Sequence, residues 1–263
     1  MERFVTIRPE NERISKYISY YYFHDSDDTD FERTFVFYPH FKHGFTAYLE
    51  GDSIRTLLTM NYDRQIPVEL KGKFHKIGVA FNPLGINYFV FDSMSGLYDP
   101  QTFLFPYWNP EIQPELKEVF ETESLHRKRD LLDALFEKRF QLRLDLKTVQ
   151  QALKLIFDTF GTIQVDELAA QIGVNRKTLL RHFKKHLCCS IEEYKKVVKF
   201  RTSIQAADNS GLKNLTEVSL YSLYYDQSDF TNRFKELTGQ SPGTFFASIS
   251  RMGEEDIFWK FDN

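Results

Sequence analysis

Gly173-Val174-Asn175-Arg176-Lys177-Thr178-Leu179-Leu180-Arg181-His182-Phe183-Lys184-Lys185 reads as a tight turn leading into a short helix. Glycine suits the left-handed residue that closes a preceding helix. The Asn175 side-chain oxygen can then accept from the free amides of the next first turn. Leu179 and Phe183 are four residues apart and share one face, which points inward. Arg176, Lys177, Leu180, Arg181 and Lys184 fall on the outer faces. Val165 to Ile172 supply the preceding helix, with the small Ala169 where the second helix must cross closely. Two short helices joined by a tight turn, the second with a buried stripe and a basic outer face, make a helix-turn-helix unit.

The pattern recurs in residues 214–239. Leu215-Thr216-Glu217-Val218-Ser219-Leu220 opens a helix, with Asn214 and Glu217 at the spacing of a capping-box variant. Asp226 to Gly239 follow, and Phe230 and Phe234 take the places of Leu179 and Phe183. Between the units, Ile191 to Arg201 read as a long helix.

Over residues 147–251 the chain resembles the DNA-binding domain of AraC-type (AraC/XylS) transcription regulators. The second unit carries the family's most specific run, D-Q-S-x-F-x-x-x-F-K-x-x-x-G-x-[ST]-P, as Asp226 through Pro242. The resemblance implies two recognition helices in adjacent major-groove segments of double-stranded DNA. By position, Lys177, Leu180 and Arg181 face bases from the first helix, and Gln227, Ser228 and Asn232 from the second. The chemistry fits. Arg or Lys donates to guanine, Gln or Asn pairs with adenine, and leucine meets a thymine methyl. Arg176, Lys184 and Lys235 are placed for phosphates, which fix register. Arg201 matches the family's arginine on the connecting helix and is read as structural, tying the two halves together, with phosphate contact as the alternative. The family further implies contact with RNA polymerase, a small-molecule effector and a homodimer. The chain departs from it at Leu223-Tyr224, where the family has glycine then phenylalanine, and at Ser219 and Ser222. A non-glycine residue at positive φ costs about 1 kcal/mol, so the second turn is either strained or reshaped.

The 263 residues allow two domains, each with its own core. No apolar run approaches the roughly 20 residues needed to span a bilayer, and Met1-Glu2-Arg3-Phe4-Val5 opens no signal-peptide core. Cys188 and Cys189, the only two cysteines, are adjacent, which argues against disulfide stapling and a zinc site and fits a reducing cytoplasm. The net charge of −3 is unevenly spread. Residues 147–251 hold 15 Lys and Arg against 10 Asp and Glu, whereas residues 1–146 hold 18 against 23. The positive segment is the one that resembles a DNA reader, as phosphate attraction requires.

Residues 1–110 hold 24 of the 42 aromatic residues. A first helix is expected over Glu10–Tyr20, then strands at Thr34–Tyr38, Phe45–Leu49, Ile54–Met60 and His75–Phe81. Turn residues at this spacing suggest a small antiparallel sandwich or barrel. Pro83 to Phe89 turn into a short helix, and Pro114–Phe140 is helical in two pieces broken near Glu123-Ser124. The expected fold class is α+β: a β-rich, barrel- or sandwich-like domain with flanking helices over residues 1–141, then an all-α domain of two helix-turn-helix units over 146–251, with an acidic tail at 252–263. Gln141–Asp145 is the expected linker. Gly78-Val79-Ala80-Phe81-Asn82-Pro83-Leu84-Gly85 resembles the cupin-like regulatory half of some AraC-type proteins.

Phe35, Phe37, Phe45, Tyr48 and Phe81 are candidates for lining a ligand pocket, with an ordinary aromatic core as the default. Leu131, Leu132 and Leu135 form either a dimer seam or a face packed on their own barrel. His40, His43 and His75 lack the H-x-H and glutamate spacing of a cupin metal site, so no metal is expected. No catalytic constellation, cofactor loop or phosphate-cradling glycine run appears. The reading is a sequence-specific DNA-binding regulator, with no enzymatic activity, whose N-terminal domain senses a small molecule or dimerises. The alternatives are a cupin-like enzyme with an appended DNA-binding domain, and an interaction module with weakened DNA binding.

Overall fold

Alternation along two central strands sets the layout. β2 (Ile18–Ser26) and β7 (Phe74–Phe81) pair antiparallel, with Tyr22 opposite Gly78 and His24 opposite Lys76. Successive strand residues point to opposite faces. Tyr21, Phe23, Ile77, Val79 and Phe81 therefore enter the main core, while Tyr20, Tyr22, Lys76 and Ala80 line an internal cavity. The Tyr22 ring lies over Gly78, where a Cβ would meet it at 1.8 Å. Glycine at 78 is thus required by the ring that crosses it.

The computed structural model describes all residues except 61, 210–223, 252–257 and 263. β1 (Glu2–Ile7), β4 (His43–Glu50) and β5 (Ser53–Thr59) complete a five-stranded sheet in the order β1-β2-β7-β4-β5. β3 (Glu32–Phe37), β6 (Ile66–Lys71), β8 (Ile249–Arg251) and β9 (Phe258–Asp262) form a second sheet in the order β6-β3-β9-β8. The expected strands coincide with β3, β4, β5 and β7 to within a residue or two at their ends, and β1, β2, β6, β8 and β9 are additional to them. The acidic tail is one of these additions: its residues 258–260 pair with β8 and its residues 261–262 with β3, Phe261 opposite Phe35.

The helix expected over Glu10–Tyr20 is absent. Two successive turns close there instead, the first through Asn11 O, which accepts from Ile14 N and Ser15 N, and the second through Ile14 O, which accepts from Tyr17 N and Ile18 N, and the chain then enters β2. The run Ile18–Phe23 is β-branched and aromatic, which suits a pleated, half-buried surface. Asp133 organises the entry, accepting from the amides of Glu10 and Asn11 at 2.9 Å each and from Tyr21 Oη at 2.7 Å.

After the short helix α1 (Met94–Leu97), α2 (Gln113–Glu121) and α3 (Leu125–Arg139) cover the outer face of the large sheet. The break between them falls at 122–124, as the sequence predicts, with Ser124 capping α3. Leu132 and Leu135 are buried and Leu131 packs against the same core. Of the two readings of that stripe, the structure selects packing onto the protein's own sheet. Phe136 anchors it against Tyr21 and Phe81, at ring separations of 6.3 and 5.6 Å.

The expected linker is pinned rather than loose. Gln141 N donates to Tyr88 O, and Arg143 pairs with Asp145 while donating to the carbonyls of Asn87 and Val90. Arg143 holds the Asp145 carboxyl down at about 2. Then follow α4 (Lys147–Asp158), α5 (Val165–Ile172), α6 (Arg176–Leu187), α7 (Ile191–Asn209), α8 (Gln227–Thr238) and α9 (Pro242–Ser248).

The two halves share their cores. One apolar cluster runs from Ile14 in the β-rich half to Val198 on α7, through contacts such as Phe41 with Phe157 and Tyr62 with Tyr194. A second cluster joins Val36 and Tyr38 to Phe200, Phe230, Phe234 and Phe245. The second helix-turn-helix unit therefore completes its core with side chains from β3 and the residue after it. Tyr38 is fully buried, stacks edge-on against Phe245 at 4.8 Å, and accepts from Gln240 Nε2 at 3.4 Å. Large-to-small changes at such aromatic sites cost about 3–5 kcal/mol. Tyr38→Ala should thus loosen α8 and α9 first. Hydrogen exchange should show the amides of Phe230–Leu237 losing protection while those of α5 and α6 keep theirs.

Candidate nucleic-acid interface and internal cavity

The first unit is built as its sequence predicts. Gly173 ends α5 in the left-handed region at φ 76°, and its amide returns to the α5 carbonyls. Asn175 caps α6 by accepting from Thr178 N at 2.8 Å. Leu179 and Phe183 are fully buried. The opposite face of α6 presents Lys177, Leu180, Arg181 and Lys184, all exposed. Lys177 with Arg181 and Leu180 with Lys184 each lie one turn apart, so the four make a single surface. Leu180 keeps 41% of its surface in solvent, unusual for a leucine with a core beside it. Arg176 is also exposed and meets Asp166 at 3.3 Å, and Lys184 approaches Glu193 at 3.7 Å. His186, at the end of α6, is buried. Burial, with the Lys185 charge beside it, pushes its pKa down to about 4, so it adds no charge at neutral pH.

The second unit is partly described. Asp226 caps α8 by accepting from Asp229 N at 2.7 Å, and Gly239 ends it at φ 69°. Gln227, Ser228, Asn232 and Lys235 are exposed on α8, and Phe230 and Phe234 are buried beneath them. Arg233 is engaged within the unit, with Asp229 and Glu236 both at 3.3 Å. Asn214, Glu217, Ser219, Ser222 and Leu223 lie outside the described residues. Tyr224 is half-buried against Phe230 at 5.2 Å, so the tyrosine of the altered turn packs onto the unit's core.

Arg201 departs from its expected role. Its guanidinium donates from Nε to Pro39 O at 2.7 Å and from Nη2 to Tyr38 O at 3.2 Å. It is 8% exposed. It is structural, as the sequence suggests, but its carbonyl partners belong to the β-rich half. No sequence pattern marks the receiving loop, because a backbone carbonyl leaves no signature in residue type.

Between the sheets lies a cavity of about 230 Å³. Of the five expected pocket residues, Phe37 and Tyr48 line it. Phe45 and Phe81 do not, because strand alternation turns them into the main core on the far side of the sheet. Phe35 is fully buried in a small cluster with Leu70. The sequence reading misses Tyr20, Tyr22, Thr46, Leu57 and Lys76, which the pleat of β2, β4, β5 and β7 aims inward. Period-2 counting from Tyr48 back to Thr46 would have found one of them.

His40 and His43 also border the cavity, but as partners of protein groups. His40 Nδ1 accepts from Lys42 N at 2.9 Å, and His43 Nε2 is bonded to Tyr62 Oη. Burial pushes His43 down to about 3. His75 stands apart beside Asp25 at 3.5 Å. Among the described residues no group of three His, Cys, Asp or Glu is arranged to hold a metal.

Lys76 is the exceptional lining residue. It is 4% exposed, and burial pushes its pKa down to about 7. In the unfolded chain a lysine titrates near 10.4. Between those values the unfolded state binds more protons than the folded one, so stability rises with pH across that window. Denaturant titrations from pH 7 to 9 should show this rise, and Lys76→Met should flatten it.

With this geometry in place, residues 168–248 match a family described as helix-turn-helix domain. A curated relative, the Msm operon regulatory protein of Streptococcus mutans serotype c, is 30% identical over 102 residues, which are 38% of this chain and 36% of the relative. The match thus spans about a third of that relative's length. Among solved structures, ToxT from Vibrio cholerae is 12% identical with a TM-score of 0.45, over 94% of this chain and 97% of ToxT. Unsaturated fatty acid bound ToxT from strain SCE256 is 11% identical with a TM-score of 0.43, over 97% of each chain. The C-terminal segment is a helix-turn-helix domain. It is joined here to a β-rich N-terminal half. No helix among the described residues is long and apolar enough to cross a membrane.

Proposed function

We propose that the chain is a sequence-specific transcription regulator. Residues 146–251 bind double-stranded DNA, and residues 1–141 answer a small molecule held in the cavity between the sheets. The observation that carries the DNA half is α6. It is a capped helix behind a left-handed glycine, its core face filled by Leu179 and Phe183 and its outer face basic and exposed. Lys177, Leu180 and Arg181 are the base readers on α6, and Gln227, Ser228 and Asn232 those on α8. Arg176, Lys184 and Lys235 meet phosphates. The ion pairs of Arg176 and Lys184 are solvent-exposed and worth little, so phosphate can displace the acids. The cavity supports the effector half, being concave, mainly apolar and provided with a few polar groups. A cytoplasmic location, assembly with a second copy and contact with RNA polymerase complete the proposal and rest on the family resemblance alone.

The readers should not contribute equally. A bidentate base contact discriminates by about 1–3 kcal/mol, and Arg181 can make one. Asn232 offers a neutral group, worth about 0.5–1.5 kcal/mol net. In a binding-site selection, Arg181→Ala should relax base preference in one half of the site, and Asn232→Ala should relax it less. Lys184→Ala should lower affinity almost uniformly and reduce the salt slope by about one. Loss of specificity in Asn232→Ala with none in Arg181→Ala would place the dominant reader on α8. Salt-independent binding by the full chain would sink the groove-binding mode altogether.

A further inference from the structure

The cavity holds an amine with no hydrogen-bond partner among the described residues. The pleat of β7 aims Lys76 inward, between Tyr48 of β4 and His24 of β2. Its Nζ lies 6.0 Å from the Tyr22 ring centroid and 5.8 Å from that of Tyr48, the outer limit of a cation–π contact. Among the described residues it makes no hydrogen bond and no ion pair. The other cations of the wall are anchored: Lys42 donates to Ser19 Oγ at 3.0 Å, and Arg201 to two backbone carbonyls. No carboxylate lines the cavity. The charges of Glu2 and Asp25 reach Lys76 and favour its ammonium, but burial outweighs them, and a buried ammonium with no hydrogen-bonded anion tends to shed its proton. Burial accordingly pushes Lys76 down to about 7, so that its free amine is present at neutrality. Exposed lysines, near 10.4, are free amines in less than about one part in a thousand.

Two hydroxyls complete the site. Tyr22 Oη and Thr46 Oγ1 are 3.0 Å apart, and both residues line the same cavity as Lys76. Burial raises the Tyr22 pKa, so its phenol keeps a proton to give. A desolvated lysine amine that shares an apolar cavity with hydroxyl proton donors is the arrangement that carbonyl capture needs.

We propose that Lys76 captures the carbonyl of a small, mainly apolar aldehyde as a reversible imine. The proposal rests on the reading of the cavity as the effector site and names the effector's class. The Nζ lone pair attacks the carbonyl carbon, forming a C–N bond while the C=O π pair moves to oxygen. The two amine hydrogens leave with that oxygen as water, and the nitrogen lone pair closes the C=N bond. Amine and aldehyde thus give imine and water, with no oxidant or reductant. Tyr22 and Thr46 supply and relay the proton to the departing oxygen. Leu57, Val68 and Phe103 receive the apolar body.

The test uses the full chain with cinnamaldehyde, trapped by cyanoborohydride and read by intact mass and peptide mapping. Cinnamyl alcohol and cinnamate serve as same-skeleton probes in thermal shift. The expected result is a single adduct on Lys76, formed at least about tenfold faster than on exposed lysines such as Lys177. Lys76→Arg keeps the charge and should lose the adduct, and trapping in the unmutated chain needs no variant to fold. Labelling of Lys76 no faster than that of surface lysines would overturn the imine. So would tight, Lys76-dependent binding of cinnamate with no aldehyde adduct, which would make the site an ion-pairing one. Binding of the alcohol without any adduct would leave the effector cavity standing and remove only the imine. If all three probes left the melting point unmoved and no adduct formed, the effector-site reading would fall with it.

Discussion

The Arg201 guanidinium, clasping the carbonyls of Tyr38 and Pro39, is the joint on which the arrangement of the two halves depends. It sits on α7, the helix that separates the two helix-turn-helix units, and it reaches the segment that follows β3. That same segment places Tyr38 among the phenylalanines of the second unit, while Phe37 faces the cavity. Arg201 borders the cavity as well. Three consecutive features of one short stretch thus touch the cavity, the connecting helix and the core of the second helix-turn-helix unit. Anything that shifts Phe37 or His40 must act on carbonyls that a buried guanidinium holds in fixed geometry. Hydrogen bonds to a charged donor contribute about 1.5–3 kcal/mol, enough to hold the joint and small enough for a ligand to bias it.

How much of this was legible in the sequence follows from what kind of signal each part leaves. The first unit was readable to the residue. A left-handed turn demands Gly173, a cap demands Asn175, and a two-turn stripe demands Leu179 and Phe183. Those are local requirements, and local requirements fix residue types. The strands at β4, β5 and β7 were readable for the same reason. The first residues of β2, Ile18–Tyr20, read as the end of a helix because they are ambiguous until β7 is known to pair with them. The tail's pairing with β3 could not be read at all, since it joins residues 34–35 to 261–262 through backbone groups alone.

The cavity shows the same division more sharply. Aromatic enrichment in residues 1–110 pointed to the right half of the chain, but composition does not say which face of a strand a ring takes. Phe45 and Tyr48 sit three apart on β4, so alternation sends them to opposite sides. Lys76 went unremarked because lysine in a strand ordinarily means a solvated face or edge. Only the register, with Gly78 leaving room for Tyr22, reveals that β7 turns its lysine inward.

Charge divides the two readers as well. On α6, Lys177 and Arg181 are exposed with no acid of their own helix beside them, and its first turn carries no carboxylate. On α8, Asp229 stands in the first turn, and it and Glu236 hold Arg233, while Lys196 of α7 also turns to Glu236. The acids near the start of α8 favour the helix itself, through its dipole, and oppose the approach of phosphate. Exposed basic charge is therefore concentrated on the first unit. The second unit presents mainly neutral polar groups beside its paired charges, and its core reaches through Val36 and Tyr38 into the β-rich half. The unit with the less basic outer face is thus the one whose core is completed by β3 and the residue after it.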